Sequence, residues 1–222
     1  MPAKRELHNP KASYHHGDLR QALLDAGDGV LQEQGLKGFT LRECARRAGV
    51  SHAAPKHHFG DVTGFLTEIA ALGFMRLSAA LELEIAGATN LDEEFIATTR
   101  AYVDFAEAHP EHFRIMFRCD LLDDQAPNIR QAAGETFRLL TNVILRQRGE
   151  PSLSASEYAS GGEVIFVNVI HDIVIGWSHI HGLAHLKLER QLTMVPEDMH
   201  EALLVKASRR LATMLRQEAG NT

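Results

Sequence analysis

Two helix-start signals fall within twelve residues of each other in the segment Thr40–Phe59, TLRECARRAGVSHAAPKHHF. Little but a pair of short helices joined by a tight turn satisfies both. Thr40 is a good N-cap and Glu43 stands three residues on, the spacing of a capping box, in which each side chain satisfies an orphan N–H of the first turn. Leu41, Cys44, Ala45 and Ala48 follow at helical spacing and give that helix one apolar face. Gly49 can take the left-handed conformation that closes a helix. Ser51 can cap a second helix at once, which leaves a turn of about three residues. Between Lys37 and His58 the cations Lys37, Arg42, Arg46, Arg47 and Lys56 face one acid, Glu43, a local balance of +4. A capped helix pair with a basic face is the unit that places a helix in the major groove of DNA. The blander alternative is a helical hairpin with a solvated basic surface.

Charge along the chain supports the first reading. The 222 residues carry a formal net charge of −6, which evenly spread would argue against nucleic acid. Residues 1–64, however, hold nine Lys/Arg against seven Asp/Glu, and residues 65–222 hold fourteen against twenty-two. A head of +2 on a body of −8 turns the head toward phosphate and keeps the body away from it. Hydrophobic residues make up 45% of the chain, enough for a real core. The two cysteines, Cys44 and Cys119, suggest no disulfide framework, and the start MPAKRELHNPKASYHHG lacks the apolar stretch of a signal peptide. The chain therefore reads as cytoplasmic. Its most apolar run, Val164–Trp177, is broken by Asn168, His171 and Asp172 and is too short to span a bilayer, so it reads as a buried helix.

Helical periodicity runs throughout, with no strand-like alternation, hairpin signal or repeat. Residues 1–13 read as a flexible basic arm. Leu19, Leu23, Ala26, Val30 and Leu31 mark a first helix, His16–Gln34, closed by Gly35. The two short helices follow. A fourth begins at Gly60–Asp61 and reaches about Ala86, although Gly64 and Gly73 each weaken it by about 1 kcal/mol relative to alanine. Further helices are expected over Leu91–Ala108, over His112–Cys119 behind Pro110, and over Ile129–Arg148, stopped by Gly149 and Pro151. Ser154 with Glu157 forms a second capping box, opening a long helix to about Leu186, and a last helix spans about Glu197–Gln217. The fold class is all-α: a three-helix head with a helix-turn-helix (14–60) joined to a larger body of about six helices (61–222).

These residues carry a family likeness. Thr40–Phe59 resembles the DNA-binding head of the tetracycline-repressor (TetR) family, and YHHGDLR (Tyr14–Arg20) looks like the opening of its first helix in one branch. GWSHIHGLAHL (Gly176–Leu186) resembles the Trp-x-x-x-His-Gly signature of a subclass of its ligand domains, here Trp177, His181 and Gly182, and the junction AHPEHFRIMF (Ala108–Phe117) also fits. The resemblance implies a homodimer joined by the last two helices, a small-molecule pocket in each body, and ligand-dependent spacing of the two heads. It departs from the family pattern at Lys56, where an aromatic residue is usual, and at Val62, where a lysine usually meets phosphate.

In such a unit the N-terminal part of the second helix meets base edges, which makes Ser51, His52, Ala53 and Lys56 the base-facing candidates. Lys56 can donate to guanine or to phosphate, and Ala53 can touch a thymine methyl. Thr40, Arg42 and His57 are expected to fix register on the backbone. Pro55 reads as structural, and Cys44 as a small buried residue rather than a redox switch.

In the body, Tyr102, Phe105, Phe113, Phe117, Phe137 and Trp177 supply aromatic surface for core or pocket, and Asn168, His171 and Asp172 are the polar groups best placed to orient a ligand. Helix–helix bonding is the plainer role for those three. His181 and His185, four apart, have a usable metal-ligand spacing, but no cysteine lies near them in sequence; no metal, cofactor or catalytic residue is assigned. No phosphate loop, HExxH or nucleophile elbow is present. The function expected is a dimeric repressor on a palindromic operator, released by a small, largely apolar ligand. The alternative is a helical enzyme or metal sensor using the His-rich body.

Overall fold

The computed structural model describes residues 16–160 and 163–219, with side chains described for 19–160 and 169–217. The proposed basic arm, Tyr14 and the side chain of Asn168 lie outside these. Among the described residues there are ten α-helices, one 3-10 turn and no strand. The chain divides into two compact units, Met1–Val62 and Thr63–Thr222.

The first unit contains α1 (His16–Gly38), α2 (Leu41–Arg47) and α3 (Ala54–Phe59). Leu23, Val30, Leu31, Cys44 and Ala45 are fully buried and form its core, closed by Phe39 and Phe59. Gly35 leaves the helical region at φ 63°, where the chain was expected to stop, and one more turn follows the kink. Helix α2 ends in a full Schellman motif. Gly49, at φ 69°, donates to the Arg46 carbonyl at 3.2 Å, and Val50 donates to that of Ala45 at 3.0 Å.

Two local expectations need correction. At the start of α2, Thr40 Oγ accepts from the Glu43 N–H at 3.2 Å, but the Glu43 carboxylate turns to Arg46 and Arg47 instead of back to Thr40. Only half of the box forms. Ser51 does not cap α3: the N-cap is Ala53, without a side-chain bond, so six residues (48–53) separate the two helices. The reason is Pro55. A helix starting at Ser51 would need an N–H from Pro55 for the Ser51 carbonyl, and proline has none. That carbonyl accepts from Ala54 at 3.0 Å instead, in a tighter turn.

The second unit holds α4 (Val62–Gly87), α5 (Leu91–Ala108), α6 (Pro110–Met116), α7 (Pro127–Gln147), α8 (Ala155–Ala159), α9 (Glu163–Leu188) and α10 (His200–Ala219), the last preceded by the 3-10 turn Glu197–Met199. Helix α5 is central, packing on α6, α7, α9 and α10. One core cluster joins Phe95, Val143, Ile144, Leu211 and Leu215; another joins Leu145, Leu153 and Val169. The Ser154–Glu157 capping box is complete, with Ser154 Oγ accepting from Glu157 N at 3.3 Å and the Glu157 carboxylate accepting from Ser154 N at 2.8 Å. The helix it opens is not the long one expected. It stops at Ala159, and α9 is described from Glu163, so among the described residues the body has seven α-helices where about six were expected. Ser160 is the C-cap of α8, and the sequence continues with two glycines, a residue that costs about 1 kcal/mol in a helix interior.

Candidate nucleic-acid interface and effector cavity

Helix α3 is anchored by two residues four apart, Pro55 and Phe59, both buried. The Arg20 guanidinium lies over the Phe59 ring, 5.2 Å from its centroid. With that face turned inward, Lys56 and His57 are exposed, as are Ser51, His52 and Ala53 in the preceding turn. His58 is half-buried, its ring 6.2 Å from that of Phe59, so it belongs to the packing side. Thr40 and Arg42 are exposed at the start of α2. Thr40 Oγ, having accepted from Glu43, keeps its own proton as a donor. All seven residues predicted to contact DNA are thus at the surface around α2, the turn and α3.

The basic surface is smaller than the sequence suggests. Arg46 Nε and Nη2 each lie 2.7 Å from Glu43 oxygens, and Arg47 bridges Glu43 at 3.0 Å and Glu33 at 2.7 Å. Hydrogen bonds from Arg46, then Arg47, hold the Glu43 carboxyl down at about 2, and Arg47 lowers that of Glu33. Both acids are charged at neutral pH; Arg47 braces α2 against α1 through Glu33, while Arg46 pairs with Glu43 within α2. Among the described residues no carboxylate pairs with Arg42 or Lys56, which leaves these as cations available to phosphate or base.

In the body, His181 on α9 gathers most of the predicted aromatic residues. Its ring centroid is 4.5 Å from Phe117, 5.3 Å from Phe113 and 5.4 Å from Trp177. Its Nδ1 is 2.9 Å from the Tyr102 hydroxyl. Phe137 meets the Trp177 ring edge-on at 5.3 Å. Trp177 and His181, four apart on one helix face, line a cavity of about 490 Å³ with Phe117 and Phe137. Phe74, Met116, Leu122 and Ile129 complete an apolar wall. This volume suits a small organic ligand. A larger cleft of about 840 Å³ lies where α9 meets the loop to α10, but its rim is charged, with Lys187 ion-paired to Glu107 at 2.6 Å.

Not every predicted pocket residue is brought there. Tyr102 and Phe113 are fully buried behind the cavity wall. Phe105 pairs with His109, ring centroids 5.0 Å apart, and does not line the cavity. Asp172 does not line the cavity: it is buried in an ion pair with Arg148 at the end of α7. His171 is exposed. His181, which lines the cavity from α9, was singled out for the signature and for its metal-ligand spacing from His185, not as a pocket residue. Its spacing from Trp177, one helical turn, is the sequence signal that marks it. Burial, and secondarily His185, lowers its pKa to about 4, so the ring is neutral. The His181 and His185 rings meet edge-on at 4.6 Å, but among the described residues no three His, Cys, Asp or Glu side chains converge on a metal position. Cys44 is buried, which pushes its thiol up to about 11.

A head with a helix-turn-helix on a helical body enclosing an apolar cavity defines a class, the helical ligand-domain transcription regulators. The family of bacterial regulatory proteins, tetR family, matches residues 23–69, and the tetracyclin repressor-like C-terminal domain matches residues 95–211. The chain belongs to the TetR family and is a DNA-binding transcriptional regulator. Members of this family bind DNA and small-molecule effectors and dimerise. Among solved structures, a protein of unknown function from Rhodococcus sp. RHA1 is 29% identical, with a TM-score of 0.71 over 92% of this chain and 98% of that one. A candidate regulatory protein, SCO4313, shares the fold at 19% identity and TM-score 0.64, over 88% and 95% of the two chains. The TetR family transcriptional regulator PfmR from Thermus thermophilus aligns over 88% and 94% at 17% identity, with a TM-score of 0.49. No curated protein matches the chain. No helix among the described residues is long and apolar enough to cross a membrane.

Proposed function

We propose that this chain is a cytoplasmic, homodimeric repressor that binds a near-palindromic operator and leaves it when a small, largely apolar effector enters the cavity beside Trp177 and His181. One observation carries the DNA half. Ser51, His52, Ala53, Lys56 and His57 all stand exposed at the turn and on α3, while Pro55 and Phe59 pin the same helix to its core. Lys56 reads a base or grips a phosphate, and Thr40, Arg42 and His57 fix the register. The cavity supports the effector half, and Trp177, His181 and Gly182 support membership of the Trp-x-x-x-His-Gly subclass. Ile170, Val174 and Met214 on the last two helices are large apolar residues left exposed, which suits a dimer seam there.

Induction is a population shift: the effector must bind the operator-incompetent dimer better than the competent one. Selection from random duplexes tests the DNA half. The enriched sequence should be a near-palindrome with half-sites about 34 Å apart or a multiple of that. Lys56→Ala should weaken binding to it by about 1–3 kcal/mol in a gel-shift titration. Enriched sites without dyad symmetry, or an unchanged affinity, would count against the reading.

A further inference from the structure

We propose that His181, fixed by Tyr102 as the tautomer protonated on Nε2, donates the hydrogen bond that selects the effector, so that the effector is an apolar ring compound presenting a carbonyl-type acceptor. This rests on the cavity beside Trp177 being the effector site. Tyr102 is only 1% exposed, and its hydroxyl proton must find an acceptor inside the protein. Among the described residues the acceptor within reach is His181 Nδ1, at 2.9 Å. The Trp177 indole approaches the same hydroxyl without closing a hydrogen bond of good geometry, and it is a donor only. If Nδ1 carried a proton, Tyr102 could accept from it, but the phenolic proton would then be stranded in the core at a cost of about 1–3 kcal/mol. Nδ1 is therefore the acceptor, and in a neutral imidazole the ring proton sits on Nε2. Burial of the ring, with His185 beside it, favours that neutral form.

His181 lines the cavity, and its Nε2 has no hydrogen-bond partner among the described residues. Around it the wall is aromatic and aliphatic. The other polar atom nearby, Trp177 Nε1, is buried, has no hydrogen-bond partner of good geometry and is again a donor. Charge is confined to Asp124 and Arg130, both exposed. The half-buried polar side chains of the cavity, His181 and Trp177, thus offer donors, while the side chains there that can accept, Asp124 and Cys119, are exposed. An amine or ammonium placed against it would be left without a partner, whereas a carbonyl oxygen would be matched.

The test uses the full-length protein and a matched pair of probes, benzophenone and diphenylmethane, which differ by C=O against CH₂. Equilibrium dialysis should show benzophenone bound about 10-fold more tightly, the worth of one hydrogen bond. In His181→Phe the ratio should fall to about 1 while diphenylmethane still binds, and His181→Gln, which keeps an amide donor, should retain much of the preference. Tyr102→Phe, acting only through the ring's tautomer, should reduce the ratio and shift the ¹⁵N signature of His181. In the wild type that signature should show Nε2 protonated and Nδ1 bare, a reading that stands even where a cavity variant fails to fold. Equal binding of the two probes by the wild type, a ratio unchanged in His181→Phe, or a protonated Nδ1 would each overturn the inference and leave the cavity as effector site intact. Binding of neither probe would remove the cavity reading, and the inference with it.

Discussion

Asp172 interrupts an apolar run on α9, and by residue type it suggests a ligand contact. Its carboxylate belongs instead to Arg148; the two side chains are 6% and 7% exposed. The sequence cannot reveal this, because the partner lies 24 positions away on another helix and nothing local marks it. The pairing predicts an asymmetry. Asp172→Ala leaves a buried guanidinium uncompensated, with its Nε already lacking a partner, and should cost about 3–5 kcal/mol in urea unfolding. Replacing both residues, Arg148→Met with Asp172→Leu, should recover most of that loss. His181 makes a pH prediction of the same sign as a carboxyl held below its ordinary value. Its pKa is about 4 in the folded chain against 6.5 for an ordinary histidine, so between those values the unfolded chain holds a proton that the folded chain refuses. This residue therefore contributes a loss of stability as pH falls through that window. His181→Phe should remove that contribution: relative to wild type, its denaturation midpoint should improve between about pH 7 and about pH 4.5. A constant offset across that range would show that His181 does not titrate there.

Among the elements, those with local causes are the legible ones. Gly49 closes α2 and Ser154 opens α8 as their types imply, since each motif is complete within a few residues. The start of α3 is legible only once the missing Pro55 N–H is counted against the Ser51 carbonyl. The end of α8 at Ser160 has a signal in the glycine pair that follows in the sequence, but the apolar run beyond conceals it when periodicity alone is followed. What periodicity cannot supply is how closely two helices approach. A Cβ on Gly176 of α9 would sit 2.4 Å from Ile144 Cδ1 and 3.1 Å from Cγ1 on α7. This glycine is therefore a packing residue, although it stands in the middle of a 26-residue helix. Gly176→Ala should destabilise the body by about 1–3 kcal/mol despite alanine's better helix propensity. Ile144→Val, which removes the clashing methyl, should be less harmful in the Gly176→Ala background than in the wild type. A double-mutant cycle would report a coupling above about 0.5 kcal/mol, and additive effects would mean the helices part freely.

At the scale of the whole molecule, the chain separates its charge and its apolar surface. The head carries the local positive balance, although Glu33 and Glu43 neutralise two of its arginines and leave Arg42 and Lys56 for DNA. The candidate seam is on the acidic body. Ile170 and Val174 lie one helical turn apart on α9, exposed at 39% and 49%, an arrangement a lone acidic body has no reason to keep in water. The helical period of the sequence reveals that such residues exist. It does not reveal that they stay uncovered, because the same period describes a residue facing the core. If a second copy covers them, the pair of heads binds two half-sites with the effective-concentration gain of a linked reader, about 100-fold or more over one head. Ile170→Asp with Val174→Asp should then yield a monomer by light scattering with its helix content unchanged, since neither side chain is buried in the folded chain. The same variant should lose operator affinity by about 100-fold or more while keeping Lys56 and α3 intact. A variant that stays dimeric would move the seam elsewhere on the body, and one that is monomeric yet binds the operator undiminished would show that a single head suffices.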